Sequence, residues 1–298
     1  MPSLPSRRLF LTLTGGAAIG LLAPAARAVV ERPTSVLVWS SDDAGFGGFS
    51  AIELSSDRRR ALAISDRGYV VRAQLIRDAS GRLTGIEPIE RFPLQDRNGS
   101  AVRGGRADVE GMDQRPDGTL FVSFEGGRRA RVMRHANDRA PAQALPQHPD
   151  WDSSPNNRGL EALAVDADGS IFAIPENTRD GFFPIYRYND RAWTIAARLQ
   201  SLDGFEPVGA DFGPDGNLYL LERKFRLAFF ATRISRLRSQ DWGSREILVE
   251  TSYGVLDNHE GISMTRDGAG QLWATTISDD NQNRFQRTEI AEFPLPDA

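Results

Sequence analysis

"NNRGLEALAVDADGSIFAIPE", Asn156 to Glu176, sets two short apolar runs on either side of Asp168-Gly169 and frames them with Glu161 and Glu176. Apolar residues dominate both arms, and Asp-Gly supplies the positive-φ geometry of a tight turn, so the stretch reads as two antiparallel strands. A hairpin folds its outer ends side by side. The two glutamates therefore share one end of the sheet, and the turn lies at the other.

The stretch recurs. "DVEGMDQRPDGTLFVSFE" carries Glu110, Asp117-Gly118 and Glu125, and "EPVGADFGPDGNLYLLER" carries Asp215-Gly216 and Glu222. "NHEGISMTRDGAGQLWATTISDD" carries Glu260, Asp267-Gly268 and Asp279, and a weaker copy, "GFSAIELSSDRRRALAISDRG", turns at Asp57 and ends at Asp66. Val208 stands where three copies have the leading glutamate, and Ser50 stands there in the first. Between hairpins lie two further strand candidates, among them "YVVRAQLIRD", "FPIYRYN" and "REILVETS". After Asp280 only "RTEIAEFPL" remains, and "TSVLVWSS", Thr34 to Ser41, supplies the missing strand. The result is an all-β propeller of four-stranded blades, five by strand count, closed by the N-terminal strand so that no edge is left open. Turn spacings of roughly 47 to 60 residues suit one blade per repeat. A sixth blade would fit if the long first interval hides another unit. A β-sandwich would not account for one hairpin signature at near-constant spacing.

If the repeated hairpin is the innermost pair of each blade, the framing acids converge at one mouth of the central channel. The candidates are Asp66, Glu110, Glu125, Glu161, Glu176, Glu222, Glu260 and Asp279. Crowded carboxylates persist only when protonated, paired with arginine, or bound to a cation. Oxygen donors without sulfur point to a hard divalent cation, calcium before magnesium. The competing role for each acid is to accept backbone N–H groups from the neighbouring blade.

The formal charge of the 298-residue chain is -4, which argues against nucleic acid as a partner. There is no cysteine, which excludes disulfides, thiolate metal sites and cysteine nucleophiles. Basic charge is almost all arginine, with Lys224 the one lysine. Arg67 and Arg223 flank trailing acids and are candidates to orient an anionic group. His259 precedes Glu260 and is the candidate general base, against a structural hydrogen bond. There is no G-x-S-x-G elbow, and the lone His-Glu pair lacks the second histidine of a zincin.

Ser6-Arg7-Arg8-Leu9-Phe10-Leu11 resembles a twin-arginine export signal, followed by an apolar stretch too short and glycine-rich for a comfortable membrane span. Ala26-Arg27-Ala28 fits a small-x-small cleavage site, so residues 1–28 read as a signal peptide and 29–298 as one mature domain starting near Val29. An ordinary secretory signal or an anchor is the alternative. The twin-arginine machinery is then a partner, and the mature protein is periplasmic or secreted without a stable membrane span.

Taken together, "GFSAIEL…AISDRG", "DVEGMDQRPDGTLFVSFE", "GLEALAVDADGSIFAIPE", "NLYLLERKF" and "NHEGISM…ISDDN" resemble the phytase-like family, also described by esterase-like activity of phytase. The resemblance spans nearly the whole mature chain. It implies a β-propeller, export, and hydrolysis of small-molecule phosphoesters or carboxylic esters. The expectation is a metal-assisted hydrolase with Glu110, Glu161 and Glu260 as preferred ligands and the trailing acids close by. A non-enzymatic binding propeller and a sugar-lactone hydrolase are the alternatives.

Overall fold

The computed structural model describes residues 29–43, 45–104, 107–125, 130–152, 159–239 and 241–297. The expected signal peptide, 1–28, lies outside the described residues.

Among the described residues, twenty strands fall into five antiparallel sheets of four. The first blade is β2 (Phe49–Leu54), β3 (Arg60–Ser65), β4 (Tyr69–Arg77) and β5 (Leu83–Pro93). The second is β6 (Val109–Gln114), β7 (Leu120–Phe124), β8 (Arg131–His135) and the three-residue β9 (Ala142–Ala144). The third is β10 (Ala162–Val165), β11 (Ile171–Ile174), β12 (Phe182–Tyr188) and β13 (Trp193–Gln200). The fourth is β14 (Glu206–Phe212), β15 (Leu218–Arg226), β16 (Phe229–Arg238) and β17 (Asp241–Glu250). The fifth is β18 (His259–Arg266), β19 (Leu272–Ser278) and β20 (Glu289–Leu295), completed by β1 (Ser35–Val38), which pairs antiparallel with β20. The expected five-bladed propeller, closed by the N-terminal strand, is the observed fold.

The repeated hairpin is the inner pair of each blade. Strands β2, β6, β10, β14 and β18 neighbour one another in a ring. Both faces of each inner hairpin are buried, and successive side chains alternate between the two adjacent blades. On β15, Leu218 and Leu220 pack with Ala162 and Phe172 of the third blade, while Tyr219 and Leu221 pack with Ile262 and Met264 of the fifth. The core is therefore five apolar seams between blades, one per neighbouring pair. This explains why the inner strands read as continuous apolar runs rather than alternating ones.

No helix among the described residues is long and apolar enough to cross a membrane.

Candidate functional site

Four inner hairpins share a register break at the same place. Pairing skips Ser50 between Phe49 and Ala51, Glu110-Gly111 between Val109 and Met112, Val208 between Pro207 and Gly209, and Glu260 between His259 and Gly261. In the third blade, Glu161 immediately precedes the first paired residue, Ala162. A β-bulge carries one residue more than its partner strand, and it re-aims that residue's side chain. Here it turns the leading glutamates out of the blade seams and towards the axis. The next position must be small because inner strands nearly touch there. A Cβ on Gly209 would sit 2.2 Å from the Glu260 carbonyl oxygen, and one on Gly261 would sit 2.7 Å from Cα of Ala51.

The bulges bring Glu110, Glu161 and Glu260 together. The Glu110 and Glu161 carboxyls come within hydrogen-bonding reach of each other. Burial pushes Glu110 well above the usual carboxylate range, and the charges of Glu161 and Glu260 add to the push. Burial, with Glu176 and Glu260, raises Glu161 to about 8. Asp279 is likewise raised to about 8, by burial and then by Glu260 and Asp66. Burial raises Asp66 too, against the favourable pull of Arg67. On the second blade's side, Asp108, Glu110 and Glu125 each bring an oxygen within 4.8 Å of the others. Gly159 permits that approach, since a Cβ there would lie 2.9 Å from Cβ of Glu125.

Arg223 crosses this ring. It pairs with the Glu260 carboxylate, donates to the Asn258 side-chain oxygen at 2.5 Å, and lies 3.5 Å from Glu176. Burial works against its charge, but Glu260, Glu161 and Glu176 outweigh that and raise its pKa. Arg223 thus ion-pairs with Glu260 and Glu176, and its charge offsets that side of the ring.

Two expected residues lie elsewhere. Glu222 sits on the Leu220 face of β15 and so points into the seam with the third blade, fully buried, 2.9 Å from Arg245 and accepting from the Ser235 hydroxyl. Strand alternation separates it from Arg223, its immediate neighbour. His259 precedes the bulge rather than forming it. Its ring is buried inside the fifth blade, with Nδ1 2.7 Å from the Thr276 hydroxyl and Nε2 3.7 Å from Glu289. The structural hydrogen bond is what the geometry shows for His259.

Three participants were not anticipated: Asp108, Asn258, and the Ser50 hydroxyl. Ser50 is 2% exposed, its Oγ has no hydrogen-bond partner among the described residues, and its bulge places it between Glu110 and Glu260 around the ring. An orphaned hydroxyl beside an excess of carboxylates suits a hard cation with oxygen donors, so the residues present fit the expected metal.

Three residues further along the inner strands runs a second ring: Glu53, Asp113, Ala164, Asp211 and Ser263. The carboxylates of Glu53, Asp113 and Asp211 also approach within 4.8 Å, beside a cavity of about 470 Å³ at the turn end of the channel. Here the backbone-bracket role is realised. Asp113 accepts the N–H of Val165 in the next blade, Asp211 that of Met264, and the Ser263 hydroxyl that of Leu54. Aligned repeats hold this column in plain view ("SAIE", "EGMD", "VGAD", "EGIS"), three residues after each bulge.

A family model described as "Phytase-like: Esterase-like activity of phytase" matches residues 44–282. No curated protein matches the chain. Similar solved structures include a gluconolactonase from Xanthomonas campestris, 16% identical over 91% of this chain and 87% of that one, TM-score 0.48. They also include the PQQ-bound aldose sugar dehydrogenase of Streptomyces coelicolor, 14% identical over 88% and 98%, TM-score 0.45. An endo-arabinase from Bacteroides thetaiotaomicron is 12% identical over 91% and 99%, TM-score 0.49. At these identities and scores nothing about chemistry follows.

Proposed function

The chain belongs to the phytase-like family, and from that premise we propose that it is an exported hydrolase of small-molecule esters working at the acidic mouth. The observation that carries the reading is the convergence of Glu110, Glu161 and Glu260 on one buried acidic cluster beside Arg223. Asp108, Glu110 and Glu125 would hold a divalent cation, calcium by donor chemistry, with the Ser50 hydroxyl beside them. Such a cation would supply Lewis-acid polarisation of the scissile group and acidify an attacking water.

The chain's own residues supply the proton traffic. With a cation on Glu110, Glu161 would be the acid–base group, its carboxyl raised to about 8 by burial and by Glu176 and Glu260. It would accept a proton from the attacking water and return it to the leaving alkoxide. Arg223, locked on Glu260 and Asn258, fixes the orientation of Glu260 and opposes the rise that burial imposes on it. Arg67 stands beside Asp66 at the rim, where it can meet an anionic group. Asp66, Glu176 and Asp279 complete the negative wall.

The test is hydrolysis by the mature chain, from Val29 onward, of p-nitrophenyl acetate and p-nitrophenyl phosphate, each with calcium and with EDTA. Calcium-dependent turnover of either supports the reading. Chelation without effect removes the cation from it. A folded protein that turns over neither substrate, but opens gluconolactone, selects the lactone reading instead, and one inert to all three selects a binding propeller. Export is tested by fusing residues 1–28 to a reporter and following periplasmic delivery with the Arg7-Arg8 pair intact and replaced by lysines.

A further inference from the structure

The second hairpin of the fourth blade, β15–β16, overshoots the mouth. Strands β15 and β16 stay paired through Arg223↔Thr232, Lys224↔Ala231, Phe225↔Phe230 and Arg226↔Phe229. The equivalent strands β3, β7, β11 and β19 are shorter. Three residue pairs beyond Arg223 raise the tip about 10 Å above the carboxylates, at ~3.4 Å per residue.

Apart from Lys224 and the exposed Arg226, that tip is apolar and bare. Phe225 is 63% exposed, Leu227 80% and Phe229 57%. Phe225 follows Arg223 by two residues and therefore faces the same side of the strand, the side of Asn258 and Glu260. The rings of Phe225 and Phe230 are 5.0 Å apart, and the Arg223 guanidinium lies 5.9 Å from the Phe230 ring. An apolar wall thus rises from Arg223, which ion-pairs with Glu260 and Glu176.

The turn is also poorly suited to its sequence. Leu227 and Ala228 take φ values of 49° and 69°, the left-handed geometry of a two-residue hairpin turn. Glycine or asparagine fits that turn, whereas other residues there cost about 1–2 kcal/mol each. A leucine held in a left-handed turn and 80% exposed is favoured neither by the turn nor by a core.

We propose that the β15–β16 hairpin is a specificity lip over the acidic mouth, and that it holds the apolar acyl or aryl group of an uncharged carboxylic ester. The lip rests on the ester-hydrolase reading and sharpens it. Among the described residues the mouth is lined by acids rather than by a basic pocket for a polyanionic phosphoester, while Phe225, Phe230 and Leu227 offer contact to a neutral apolar ester.

The experiment compares p-nitrophenyl octanoate with p-nitrophenyl acetate for the wild type, Leu227→Asn, Phe225→Ser, and a remote control, Ile89→Ser. Asparagine tolerates the left-handed turn, so Leu227→Asn keeps or raises Tm and a loss of preference is not unfolding. The expected result is a wild-type preference for octanoate, and an octanoate-to-acetate ratio of kcat/KM that falls about tenfold in either lip variant, chiefly through KM, but not in the control. An unchanged ratio in both lip variants, with turnover intact, overturns the lip and leaves the hydrolase standing. Calorimetric titration with the amides N-(4-nitrophenyl)octanamide and N-(4-nitrophenyl)acetamide separates the two ideas. Chain-length-dependent binding that Leu227→Asn weakens, without hydrolysis of any ester, keeps the lip and removes the hydrolase. No binding of the octanamide overturns the lip. Flotation of the wild type with phosphatidylglycerol vesicles, lost in Leu227→Asn and unaccompanied by any chain-length preference, reassigns the tip to a membrane and also overturns it.

Discussion

Each end of the channel draws three acids from the five inner-strand positions of its ring, the two rings lying three residues apart, and the two ends use them differently. At the turn end, Asp113 and Asp211 give oxygens to backbone N–H groups of the next blade. At the other mouth, Glu110, Glu161 and Glu260 meet one another and Arg223. Both arrangements crowd buried acids, and Glu53, Asp113 and Asp211 are raised as well, but the first also stitches blades together. Acid count alone does not distinguish them, because each end gathers three carboxylates within 4.8 Å. What distinguishes them is what the lone pairs are doing. A carboxylate facing an N–H is structurally satisfied; one facing another carboxylate needs a proton, a guanidinium or a cation.

The largest effect that would break this comparison is on turnover. Glu161→Gln removes the buried acid–base carboxyl and should lower kcat/KM for an ester by about 100-fold or more. Asp211→Ala should leave kcat within a few-fold, as steady-state kinetics on both variants will read. The reverse pattern would move the chemistry to the turn end.

Stability should divide the other way. Asp211→Ala orphans the buried N–H of Met264 and should cost about 1–3 kcal/mol in chemical denaturation, equally with calcium and with EDTA. Glu161→Gln should stabilise the protein in EDTA at alkaline pH, since it deletes a buried charge, and should blunt stabilisation by calcium.

The pH dependence is shared by both ends. Glu161 and Asp279 at the mouth are raised to about 8 and Asp113 at the turn end to about 7, so between about pH 5 and pH 8 the folded state holds protons that the unfolded chain has released. Stability in EDTA should therefore fall as pH rises through that window and level off above it, by some ~5–10 °C in Tm. Calcium should flatten the slope by taking the place of the protons. A flat profile in EDTA would mean that the cluster is not crowded in solution.

The smallest expected effect is at Ser50. Ser50→Ala removes a hydroxyl that has no other described hydrogen-bond partner, so it should leave Tm in EDTA unchanged and weaken calcium binding about threefold, by isothermal titration. A loss of Tm in EDTA would instead give Ser50 a structural partner.

Much of this was legible in the chain. Asp-Gly turns, two apolar arms and near-constant spacing determine hairpins, and hairpins repeated once per blade determine a propeller whose count closes only when Thr34–Ser41 joins the last sheet. The leading glutamates were also legible, because a residue that opens each repeat must come to one end of the ring. Tertiary structure decided where each side chain points. A bulge sends Glu260 to the axis while its neighbour His259 goes into the blade, and alternation sends Arg223 to the mouth while Glu222 goes into a seam with Arg245. These outcomes turn on a register break of one residue, and a period of two makes every such break reverse the facing of what precedes it. A linear sequence records which residues are near the rim; only the paired strands determine which of them face one another.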